Sequence, residues 1–124
     1  MSERHAGFDM AAIAALCLSL PGARSDFKWG GVQVFSIARN KMFALLDLQG
    51  RGNLAFKVDD DLFLGFCDRP GMRPAPYLAR AHWISLTPPY QISPAELRYL
   101  LQRSHQLVVK RLPKVRQIGL LIDP

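Results

Sequence analysis

The side chains in this sequence that could do chemistry are few and scattered. Nucleophilic catalysis needs an activated Ser or Cys with a base and a group to orient that base. Ser104-His105 is the only adjacent Ser–His pair, and adjacent residues on a helix point in different directions. The G-x-S-x-G elbow is missing. Zinc needs three or four ligands at short spacings, whereas His5, His82 and His105 are dispersed and neither H-E-x-x-H nor C-x-x-C occurs. Cys17 and Cys67 each lie in an apolar stretch and read as buried free thiols. Gly50-Arg51-Gly52 lacks the third glycine and the long following helix of a dinucleotide or phosphate loop. Asp26 and Asp47 could meet in a fold, but nothing in their spacing selects them for acid–base work. The expectation is a non-enzymatic protein with no metal and no cofactor.

Cations are more telling. Six lie between Arg98 and Arg116 with no acid among them, and three between Arg69 and Arg80, again without an acid. Arg39, Lys41 and Arg51 fall at predicted hairpin tips. Turn tips and a basic helix can track a phosphate backbone while reading little sequence. This makes Arg39, Lys41, Arg51, Arg80, Lys110, Arg111 and Lys114 the candidate phosphate contacts of a DNA-binding module. The competing reading is a solvated helix face with cations near the negative end of its dipole. A second candidate surface comprises Arg73, Tyr77, His82 and Trp83 around the Arg69–Arg80 loop. There an aromatic platform could stack a base or small ligand, or meet a protein. Trp83 reads first as a core or loop anchor, and His82 as a satisfied, half-buried imidazole.

The elements that must position these residues are legible from periodicity. Ile13, Leu16, Cys17 and Leu20 recur at helical spacing after an N-cap at Asp9, and Pro21-Gly22 stops that helix. The period then changes. Val32–Ile37 and Lys41–Leu48 read as the strands of a hairpin turning at Arg39-Asn40, and Leu54–Val58 as a third strand. Short connections imply antiparallel neighbours. Phe27-Lys28-Trp29 suggests an added edge strand, and His82–Leu86 a last strand. Asp59-Asp60-Asp61 reads as the acidic start of a brief helix rather than a metal site. Arg69–Ala79 is too proline-rich for regular structure. The final helix is the clearest element: Ser93-Pro94-Ala95-Glu96 is a capping box, followed by a stripe of Leu97, Leu100, Leu101, Ser104, Leu107 and Val108.

The whole chain, 1–124, reads as one α+β domain of about five antiparallel strands packed by N- and C-terminal helices. Its apolar share of 49% and charged share of 21% are those of a globular protein. The net charge of +6 favours anionic partners. Met10–Leu20 mimics a signal-peptide core, but Glu3 and Asp9 flank it and the following Pro-Gly-Ala is a poor cleavage site. The run is also far shorter than the roughly 20 residues needed to span a bilayer. A cytoplasmic protein with no membrane partner is expected.

Several of these segments together resemble the MmcQ/YjbR family. The resemblance rests on Leu18-Ser19-Leu20-Pro21-Gly22, Phe43-Ala44-Leu45, Pro76-Tyr77-Leu78 with His82-Trp83, and Ser104-x-x-Leu107-Val108 with Leu112-Pro113-Lys114. It runs from about Phe8 to Arg116. It implies a compact, frataxin-like (CyaY-like) fold and the family's DNA-binding label, which rests on a double-wing arrangement of hairpins. Ala79-Arg80-Ala81 and His105 depart from the family's usual pattern. Frataxin-type iron chemistry is not implied, since that relies on an acidic helix and edge.

Overall fold

Asp9 accepts the amide of Ala12 at 2.7 Å and so opens α1 (Met10–Leu18). Its buried residues Ile13 and Cys17, with Leu20 beyond the helix end, face the core. The chain then turns at Gly22, whose φ of 70° suits a residue without a Cβ. The computed structural model describes residues 9–48 and 50–122; Glu3, His5 and Phe8 lie outside the described residues.

Strands β1 (Arg24–Lys28), β2 (Val32–Ile37), β3 (Lys41–Asp47) and β4 (Leu54–Lys57) follow as a meander. A 3-10 turn at Asp60–Leu62 leads into the short α2 (Phe63–Cys67), then β5 (Met72–Pro74), a second 3-10 turn at Ala79–Ala81, and β6 (Trp83–Leu86). The sheet is antiparallel throughout, in the order β1-β2-β3-β4-β6-β5. Helices α3 (Pro94–Val109) and α4 (Lys114–Gln117) complete the α+β fold.

The sheet has six strands rather than about five. The added one is β5, inside the proline-rich segment expected to lack regular structure; it pairs Met72, Arg73 and Pro74 with Leu86, Ser85 and Ile84. Proline is compatible with a strand only at a sheet edge, and that is where β5 lies. The predicted edge strand at Phe27-Lys28-Trp29 begins earlier, at Arg24, and stops before Trp29. His82 precedes β6 rather than joining it, because its left-handed φ of 62° ends the 3-10 turn.

Alternation along the strands divides the sheet into two faces. Phe35, Leu46, Leu54, Phe56, Ile84 and Leu86 face the helices and meet Leu97, Leu100, Leu101 and Val108 of α3. Each such burial contributes about 1.5–3 kcal/mol, which makes this layer the main source of stability. Phe63, Phe66 and Cys67 of α2 pack on the same core. The opposite face carries Val34, Leu45, Ala55 and Ser85, one register step removed.

Two ion pairs tie the helices to the rim. Ser93 Oγ accepts the Glu96 amide at 3.1 Å, the first half of a capping box. The Glu96 carboxylate is drawn instead to Arg69, which donates to both of its oxygens at 2.6 and 2.8 Å. Arg103 likewise donates to both oxygens of Asp59. Asp59 is the residue before the 3-10 turn, yet its side chain makes no capping bond there, because Arg103 holds it. Asp60 and Asp61 do lie in the first turn, as an acidic helix start predicts.

Candidate nucleic-acid interface

The site begins with an irregularity in the sheet. The β2–β3 register steps from Phe35–Ala44 to Ser36–Met42, which leaves Phe43 as an additional residue of β3. Beside it, the β3–β4 ladder ends at Ala44–Phe56. The next rung would join Phe43 to Lys57, and there the hydroxyl of Ser104 stands between the strands. It accepts the Lys57 amide at 2.9 Å and donates to the Phe43 carbonyl at 2.7 Å. A fully buried side chain of α3 therefore completes a backbone bond that the splayed strands do not make.

The splayed end opens onto a basin of about 810 Å³. Its cations are Lys28 from the end of β1, Lys41 from β3, Lys57 from β4, Arg80 from the second 3-10 turn and Arg111 from beyond α3. Met42, Leu78, Trp83 and Leu112 give it an apolar base, and no carboxylate lines it among the described residues. Lys57 is only 8% exposed and donates its ammonium to the Ala81 carbonyl. Burial pushes its pKa below the usual lysine value; nearby Asp60 opposes that shift and Arg111 adds to it. Asn40 on the rim accepts from Arg24 at 3.3 Å. An acidic corner adjoins the basin, where Lys57 and Arg111 also meet Asp59, Asp60 and Asp61. Two of those acids are engaged: Asp59 by Arg103, and Asp60 by His82 Nδ1 at 2.6 Å.

A second concavity of about 630 Å³ occupies the open face of the sheet. It shares Met42 and Leu78 with the basin, so the two adjoin. Val32, Leu45, Ala55, Ala75 and Pro76 make it apolar. Asp47, Asn53 and Ser85 add polar groups. Asn53 Oδ1 is buried and has no hydrogen-bond partner among the described residues. Two exposed aromatics line this groove, Trp29 at 66% and Tyr77 at 103% exposure. Both sit on left-handed backbone, with φ of 51° and 66°. Trp29 takes the first central position of the β1–β2 turn, closed by the Gly31 amide on the Lys28 carbonyl, where Asn, Asp or Gly is favoured. Each non-glycine residue held this way costs about 1–2 kcal/mol.

Of the predicted phosphate contacts, the fold brings Lys41, Arg80 and Arg111 together in the basin. Arg39, Lys110 and Lys114 are exposed, and each lies within two residues of a lining residue. Arg51 is separated from them. It sits at the β3–β4 turn, and the seven residues of β3 place that turn at the other end of the sheet, about 20 Å away. The hairpin tips therefore do not form one pair of wings. Lys28 and Lys57 were missed as basin residues. Only the alternation that turns Lys57 away from Leu54 and Phe56 hinted at its direction.

The second predicted surface is not one site. Tyr77 lines the groove, while Trp83 is 5% exposed and lies beneath the basin as a packed residue rather than a platform. His82 turns to Asp60 and stacks on Phe63, with ring centroids 5.0 Å apart. Arg73 projects from the edge strand. Arg69 and Arg103 are held in ion pairs, so they add little free positive charge.

Cys17, Ser104 and His105 are built into the core. His105 is fully buried; its Nε2 bonds the Pro21 carbonyl at 2.7 Å, its Nδ1 meets Gln106 Nε2 at 2.8 Å, and its ring packs edge-on to Phe43. That pattern fits a neutral imidazole carrying its proton on Nε2. Burial lowers its pKa, partly opposed by the bond to Pro21. Burial pushes the Cys17 thiol up to about 12. Among the described residues no group of three or more His, Cys, Asp or Glu is placed to hold a metal ion, and no helix is long and apolar enough to cross a membrane.

A six-stranded antiparallel sheet, helices on one side and a basic basin at one end, defines the architectural class. Its pattern is that of YjbR: the family matches residues 18–107, and this chain belongs to it. Two crystal structures share the fold. A Deinococcus radiodurans protein with a DUF419 domain is 24% identical, with a TM-score of 0.79 over 89% of this chain and 86% of that one. A Pseudomonas syringae protein is 20% identical, with a TM-score of 0.69 over 82% of this chain and 99% of that one. No curated protein matches the chain.

Proposed function

We propose that this chain is a non-enzymatic, sequence-nonspecific DNA-binding module that holds phosphates in the basin between the β2–β3 turn and the C-terminal end of α3. The observation that carries this reading is the convergence of five cations, from five separate segments, on one concavity with no carboxylate in its lining among the described residues. Such a concavity concentrates positive potential and favours a polyanion over a neutral ligand. Arg39, Lys110 and Lys114 extend the surface at the same end, while Arg51 does not contribute. The non-enzymatic part is supported by Ser104 and His105, whose polar atoms are taken up in structural bonds.

The test is a DNA titration across salt concentrations. Binding should be measurable at about 50 mM salt and fall steeply by about 200 mM, because each neutralised phosphate releases counterions. Absence of binding to both duplex and single-stranded DNA at the lower salt would refute the proposal.

A further inference from the structure

The apolar groove has features that phosphate contacts alone do not use. It adjoins the basin at Met42 and Leu78. Its aromatic walls come from two unrelated turns, and both aromatics are exposed on backbone that disfavours them. Core packing does not explain either placement, because neither side chain is buried. At the far end, Asp47 and Asn53 line the groove; Asp47 Oδ1 accepts the Gly50 amide, and Asn53 Oδ1 is buried and unpaired among the described residues. The combined surface thus brings cations, an apolar stretch with two exposed aromatics, and the Asp47 carboxylate side by side.

We infer that the groove receives unpaired nucleobases, against Trp29 and Tyr77, from a single strand whose phosphates lie in the adjoining basin. This deepens the DNA-binding reading and rests on it. A flat base offers a π-face to either aromatic ring, a stacking mode that tolerates any sequence. Its amino group can donate toward Asp47, whose carboxylate also repels phosphate. In a duplex the bases are stacked and paired inside, so none can enter a groove on the open face of a sheet. Adjacency of the two concavities favours a polymer over a free nucleotide, because one strand can occupy both at once.

The chain's two tryptophans make the test direct. Trp29 is exposed and Trp83 is buried, so groove occupancy should quench the Trp29 emission. A single strand of about ten nucleotides, within the usual footprint of such platforms, should quench it and bind roughly 10-fold tighter than the matched duplex. Trp29→Ala and Tyr77→Ala should each weaken single-strand binding about 10-fold and leave duplex affinity unchanged. Both residues are exposed, and circular dichroism of the variants checks that the fold survives. Equal affinity for duplex and single strand, with both variants silent, overturns the inference and leaves the phosphate-binding reading standing. Adenosine monophosphate binding as tightly as the oligonucleotide overturns it in favour of a nucleotide pocket. No binding of any probe overturns both readings.

Discussion

Ser104 donates its hydroxyl to the Phe43 carbonyl at 2.7 Å while accepting the amide of Lys57, and so one α3 side chain bridges the gap between two splayed strands. Removing it leaves a buried donor and a buried acceptor unpaired. Ser104→Ala should cost about 1–3 kcal/mol, measured by urea denaturation. The m-value should stay unchanged, since the folded surface is the same. A loss below about 0.5 kcal/mol, the lower end for a hydrogen bond, would mean that the strands close on their own.

The basin separates cations that are free from cations that are spent. Lys41→Ala, Arg80→Ala and Arg111→Ala together should weaken DNA binding and lower the magnitude of the salt slope by about 2–3. Arg51→Ala should have little effect, because Arg51 stands at the opposite end of the sheet. Arg69→Met and Arg103→Met should also leave the slope nearly unchanged, since those guanidiniums already bind Glu96 and Asp59. The measurement is the slope of log affinity against log salt for each variant.

The imidazole of His105 gives stability a pH dependence of definite sign. Its folded pKa lies below the ordinary 6.5, so the unfolded chain binds the proton more readily. The contribution is complete above pH 6.5 and declines as pH falls below it toward the folded value. The Asp59 and Glu96 carboxylates have lowered pKa values, chiefly through hydrogen bonds from Arg103 and Arg69. Their contribution is present above the ordinary carboxylate range and is lost only in more acidic solution. Both pairs are partly exposed, so each is worth about 1 kcal/mol or less. A His105→Leu variant should therefore show a flat unfolding free energy just below pH 6.5, where the parent declines. Equal slopes for the two proteins in that window would contradict this assignment.

Thiol reactivity should follow burial. Cys17 is fully buried with its pKa pushed up to about 12. Cys67 is partly exposed, and its pKa is raised more moderately by desolvation and by Asp68. A thiol-specific dye at neutral pH should label Cys67 slowly and Cys17 only after unfolding. Slow native labelling of Cys17→Ser, which keeps Cys67, is the expected result; native labelling of Cys67→Ser, which keeps Cys17, would contradict it.

The parts of this fold legible in the sequence are those governed by local rules. The α3 stripe and the Ser93 cap follow from helical spacing, and the β2–β3–β4 meander from alternation and short turns. The exceptions are tertiary. Strand β5 breaks local propensity through Pro74 and exists because β6 offers a partner. Glu96 satisfies half a capping box and then turns to Arg69, whose position is set 27 residues away. The basin draws on residues 28, 41, 57, 80 and 111, which share no period, so only strand order could assemble them. Trp83 carried two readings in the sequence, and its burial favours the packed one. Trp29 reads as a strand residue in the sequence, since a turn position with positive φ normally carries Asn or Gly.

Strand β5 also decides how the sheet ends. The Ala75 amide points inward to the Trp83 carbonyl at 3.0 Å, so alternation places the backbone nitrogen of residue 74 on the outer edge. Proline has no hydrogen there, and a foreign strand arriving at that edge finds a missing rung. Pro76, Tyr77 and Leu78, just beyond, wall the groove. The segment that shapes the candidate ligand surface thus also discourages edge-to-edge aggregation, and replacing Pro74 would restore an amide to which another chain could attach.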